Sequence, residues 1–74
     1  MNGTRQLAER LRRARERAGL TPEQLDDLAG LPRGSAATYE LARRILTVSD
    51  LEDLARALNV PMAELLEGIG GFDE

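Results

Sequence analysis

The only cationic side chains in these 74 residues are ten arginines, for the chain holds no Lys, no His and no Cys. That inventory bounds the chemistry on offer. Without His or Cys there is no acid–base group poised near neutral pH, no thiolate nucleophile and no thiolate or imidazole ligand for zinc. The neighbouring acids Asp26-Asp27 and Glu52-Asp53 are adjacent on helical segments and point apart, so they read as solvated charges rather than a catalytic pair. No Gly-rich phosphate cradle occurs, and so short a chain leaves little volume for a concave pocket. An enzyme is not expected, nor a metal or cofactor. What remains is the arginine guanidinium, a planar fork of donors that is charged at every physiological pH.

Those forks are unevenly placed. Residues 1–20 carry Arg5, Arg10, Arg12, Arg13, Arg15 and Arg17 against Glu9 and Glu16. Residues 51–74 carry Glu52, Asp53, Glu64, Glu67, Asp73 and Glu74 against Arg56 alone. The net charge of −3 argues weakly against tight nonspecific binding to nucleic acid, where neutralising phosphates supplies most of the affinity. A polarised molecule can still present one basic face. The plainer reading of the N-terminal run, with Arg10, Arg13 and Arg17 on one stripe, is a solvated helix surface.

The elements that position these groups are helical. The apolar set is almost entirely Leu, Ala, Ile and Val, with one Tyr and one Phe, and one domain must be stabilised by aliphatic packing alone. Leu7, Leu11, Ala14 and Ala18 share a stripe that predicts a first helix from about Thr4 to Ala18, stopped by Gly19. Thr21-Pro22-Glu23-Gln24 is a capping box with Pro at the first helical position. It opens a short second helix carrying Leu25, Leu28 and Ala29 inward and ending at Gly30, the expected site of a tight reversal. A third helix is expected from about Arg33 to Leu41. Its starting cap is poor, although Ser35 would cap a shortened version. Thr47-Val48-Ser49-Asp50, a capping box in its acidic form, opens a fourth helix with Leu51, Leu54, Ala55 and Leu58 on one face. Pro61 starts a short fifth helix with Met62, Leu65 and Leu66 inward. Residues 69–74 read as a loose, Gly-rich acidic tail after a domain over 1–68. No apolar run approaches the ~18 residues of a membrane span and no signal peptide opens the chain, which points to a cytoplasmic protein.

In that order and spacing, Leu11-Arg12 and Arg15, Gly19-Leu20-Thr21, Leu25, Ala29-Gly30-Leu31, Tyr39-Glu40, Arg43-Arg44, Leu51 through Leu54-Ala55, Asn59-Val60-Pro61 and Glu64-Leu65-Leu66 resemble the Cro/repressor-type (XRE) helix-turn-helix family. Tyr39 to Leu66 and the Asp26-Asp27 pair look most like actinobacterial developmental regulators of the BldD type. The resemblance implies an all-α, compact five-helix domain of the lambda-repressor kind, with the helix-turn-helix at helices two and three. It also implies an ion pair between Arg15 and Glu40, in which an arginine fork at the edge of an apolar face satisfies a half-buried carboxylate.

The implied function is a DNA-binding transcriptional regulator that meets an operator through helix three. Transferred position by position, the DNA contacts fall on Arg33, a bidentate fork for guanine, on Ser35 and Thr38, on Arg43 and Arg44 at phosphates, and on Arg12 or Arg13 as additions. The family's gripping Gln at the start of helix two is Pro22 here, and Gly34, Ala36 and Ala37 offer no polar side chain. A symmetric homodimer is implied, with its seam at Val60, Met62, Leu66, Ile69 and Phe72. Two departures open an alternative. Asp26 stands where the helices usually touch through Ala, and Leu41, Ile45 and Leu46 stand beside the expected DNA surface. If Asp26 and Asp27 repel phosphate and those three apolar residues meet a protein partner, the fold serves as an interaction module instead. In the simpler case Ile45 or Leu46 turns into the core.

Overall fold

Five helices make up the described part of the chain, residues 3–69 of a computed structural model. They are α1 (Gly3–Arg17), α2 (Pro22–Ala29), α3 (Ser35–Glu40), α4 (Val48–Leu58) and α5 (Met62–Leu66). The expected tail beyond Ile69, with Phe72 in it, lies outside the described residues. α2 packs on α3 and α4, while α1 closes the other side against α3 and α5. Leu7, Leu11, Leu25, Leu51 and Leu54 are all buried at their meeting point, joined by Tyr39.

The local start signals act as their chemistry dictates. Thr21 accepts from Gln24 N while the Gln24 side chain accepts from Thr21 N, so both halves of the capping box form, with Pro22 at the first helical position. Gly30 then takes the left-handed conformation (φ 74°) and ends α2. At Thr47 only half of the expected box forms. Its hydroxyl accepts from Asp50 N at 3.1 Å, but the Asp50 carboxylate accepts instead from the Tyr39 hydroxyl. A tertiary partner has taken the group that the local motif assigns to the backbone.

Other expectations need correction. Ala18 is exposed because α1 ends one residue earlier. Leu28 is 59% exposed, since the buried stripe of α2 runs through Leu25, Asp26 and Ala29. Arg10 leaves its solvated stripe, its Nη1 donating to the carbonyls of Glu64 and Leu65 at 3.3 and 3.4 Å. In doing so it ties α1 to the last turn of α5, whose carbonyls have no partner within the helix. Val60, Met62, Leu66 and Ile69 pack on the core edge and are only partly buried.

Candidate nucleic-acid interface

α3 spans six residues, too few to persist alone, and its flanks hold it in place. Of the N–H groups at its start, Ser35 N donates to Pro32 O at 3.1 Å, whereas Gly34 N and Ala36 N reach outside the segment. Gly34 occupies the N-cap with φ 99° and has no side chain to offer. The acceptor comes from α2: Asp26 Oδ2 takes Gly34 N and Asp26 Oδ1 takes Ala36 N, each at 2.8 Å. Asp26 is 1% exposed. It is therefore neither a solvated charge nor a phosphate-repelling one, which corrects both expectations. The same contact explains Gly34, because a residue with a Cβ is strained at that φ.

The other end of α3 is fixed from α1. Arg15 Nε donates to Glu40 Oε2 at 2.7 Å and Nη2 to Oε1 at 3.0 Å, while Nη1 donates to Leu20 O at 2.7 Å. The two side chains are 12% and 7% exposed. Glu40, ahead of a burial cost that opposes it, pushes the Arg15 guanidinium further above its ordinary range. Tyr39 supplies a third anchor through its hydroxyl on Asp50, and Arg44 lies 5.3 Å from its ring centroid. Beyond α3, Ala42 adopts a left-handed conformation (φ 58°), and the N–H groups of Ala42 and Arg43 close the helix on Tyr39 O and Thr38 O at 3.0 and 3.1 Å.

The residues expected at a DNA surface fall into two sets. Arg33 is exposed just before α3, with Nη2 3.9 Å from Asp27 Oδ2, a loose and solvated pair. Thr38 is half-buried and its Oγ1 donates to Gly34 O at 2.8 Å. Arg43 and Arg44 are exposed past the C-terminal end. Arg12 lines an open groove between α1 and α3 with Pro22, Ala37, Glu40 and Leu41. Two residues are not brought to this face. Ser35 is buried, its hydroxyl donating to Pro32 O at 2.6 Å, because the helix starts there rather than at Arg33. Arg13 pairs with Glu9 at 2.9 Å and flanks Glu16 and Arg17 instead.

Of the three apolar residues beside this surface, Leu46 belongs to the core. Leu41 and Ile45 are 63% and 75% exposed. Sequence reasoning missed Asp26 as the cap of α3, and the only trace of it is the absence of any capping side chain at Leu31 to Gly34.

Comparison with known proteins agrees with this geometry. The Helix-turn-helix domain family model matches residues 6–67. Control protein C.SmaI of Serratia marcescens is 40% identical over 60 residues, 81% of this chain and 71% of that protein. The crystal structure of the restriction-modification controller protein C.AhdI from Aeromonas hydrophila superposes with a TM-score of 0.81 at 32% identity, covering 84% of this chain and 94% of that one. An Asp-capped third helix, set against α2 by a left-handed glycine turn and locked to α1 by an arginine fork, thus sits within a matched frame, and the chain belongs to the Cro/repressor-type helix-turn-helix family of DNA-binding transcriptional regulators.

Proposed function

We propose that the chain binds an operator through α3 as a homodimer. The observation that carries this is the exposed edge of α3: Arg33 stands free of the core at its N-terminal end, and Arg12, Arg43 and Arg44 flank it on other elements. In this reading Arg33 meets base edges, Thr38 assists, and the flanking arginines meet phosphates. α3 is about 9 Å long at 1.5 Å per residue, so Arg33 and Arg43 bracket it rather than sit side by side. Val60, Met62, Leu66 and Ile69 form the dimer seam, which a single short half-site contact requires. Likeness to a control protein and to a restriction-modification controller points to restriction–modification genes as the regulated system. A cytoplasmic location accompanies that role; no described helix is long and apolar enough to cross a membrane.

Selection from a random duplex pool at low salt tests this reading. Arg33→Ala is expected to lose about 5- to 150-fold in affinity for the selected sequence and to relax the preference at one position. An unchanged affinity and preference would refute the role given to Arg33. A second reading, a protein-interaction module, is favoured by Leu41 and Ile45 standing exposed together. It predicts no sequence preference in the same selection.

A further inference from the structure

The outward face of α3 is almost wholly carbon. Ser35, Ala36 and Tyr39 are buried, and Glu40 is held by Arg15. That leaves Ala37 and Thr38, followed one turn on by Leu41, which is 63% exposed. Thr38 commits its single hydroxyl proton to Gly34 O at 2.8 Å, so the hydroxyl can accept but not donate, and its methyl remains. Gly34 has nothing to contribute. Arg33, at the N-terminal end, is the one long polar side chain here.

Base pairs present donors and acceptors in the major groove, and thymine alone adds a C5 methyl. A face of methyls and a leucine has no donors to match purine N7 or O6, but it complements that methyl. On the reading that α3 enters the major groove, we infer that Ala37, Thr38 and Leu41 select sequence by apolar contact with thymine C5 methyl groups, while Arg33 reads a guanine at the end of the helix. The operator is then a guanine flanked, over the length of α3, by thymines. Leu41 acquires a partner in this arrangement without a second protein.

Uracil in place of thymine removes the methyl and nothing else. The experiment takes the sequence selected by the full chain and replaces its thymines one at a time in synthetic duplexes. At positions facing α3 each replacement is expected to weaken binding about fourfold, the value of one buried methyl group. Thr38→Ser, which keeps the hydroxyl, and Leu41→Ala, at an exposed position, are each expected to abolish the uracil effect at one position. Thermal melts confirm that these two variants, and Ala37→Gly, remain folded. If uracil is silent at every thymine while the intact duplex is bound with sequence preference, the inference fails and the operator reading stands. If uracil effects persist unchanged in Thr38→Ser, Leu41→Ala and Ala37→Gly, the methyl contacts belong to other residues and the inference fails as well. If no duplex is preferred at all, both fail together.

Discussion

Asp26 Oδ2 accepts a hydrogen bond from Gly34 N at 2.8 Å across the turn between α2 and α3, so the cap of one helix is carried by the other. The second oxygen takes Ala36 N, and both acceptors are removed from water. Loss of the carboxylate leaves two donors at the head of α3 without partners. Asp26→Ala is expected to destabilise the fold by about 1–3 kcal/mol, and Asp26→Asn, which keeps one acceptor oxygen, by less. Urea unfolding of the three proteins checks the order; a wild-type midpoint for Asp26→Ala would contradict it.

The Arg15–Glu40 pair makes a different prediction for single and double substitutions. Glu40→Ala strands a largely buried guanidinium, with an expected cost of about 3–5 kcal/mol. Replacing both partners by apolar residues, Arg15→Met with Glu40→Leu, is expected to recover most of that loss, because no buried charge remains unpaired. Only the carbonyl of Leu20 then loses its donor. A double-mutant cycle by chemical denaturation separates the two outcomes.

Ala42 offers a stabilising substitution. Its φ of 58° lies in a region that disfavours a Cβ, at the position after α3 where glycine is usual. Ala42→Gly is expected to raise stability by about 0.5–1 kcal/mol, the relief of strain outweighing the added freedom of the unfolded chain. A fall in melting temperature would contradict this.

Tyr39 sets a limit at high pH. Burial first, and then its hydrogen bond to Asp50, hold the phenol above its ordinary value of 10.0, against a smaller opposing effect from Arg44. The folded state therefore keeps this proton longer than the unfolded chain does. The associated stability is complete below pH 10 and is lost as pH rises through the raised value. Tyr39→Phe is expected to be less stable at neutral pH and to lose this part of the alkaline decline. Unfolding free energies measured from pH 8 to 11 test both.

Legibility in the sequence followed the range of the interaction. Thr21 and Gln24 are three residues apart, and their reciprocal caps formed as the local pattern predicts. Leu51, Leu54, Ala55 and Leu58 repeat at helical spacing and are all buried. Asp50 shows where local reasoning stops, because a tyrosine from another element competes for its carboxylate. Asp26 was least legible. Beside Asp27 it looks like half of a solvated pair, and only the packing of α2 on α3 distinguishes the buried acid from the exposed one. Leu28, expected inward, is exposed, and of the two residues left open as core fillers Leu46 turned in while Ile45 did not: in short segments periodicity alone does not choose which apolar residue turns inward. The pairing of Arg15 with Glu40 comes from family resemblance, since 25 residues separate them.

The anchoring of α3 from three sides has an evolutionary consequence. Ser35, Ala36, Tyr39 and Glu40 carry its attachment, whereas Ala37, Thr38 and Leu41 carry none beyond one intrahelical bond. Attachment and the proposed contact with DNA thus fall to different letters of the same short word. A library randomised at 37, 38 and 41 is expected to consist mostly of folded proteins, so under the proposed contacts a change of DNA target need not pass through unstable intermediates.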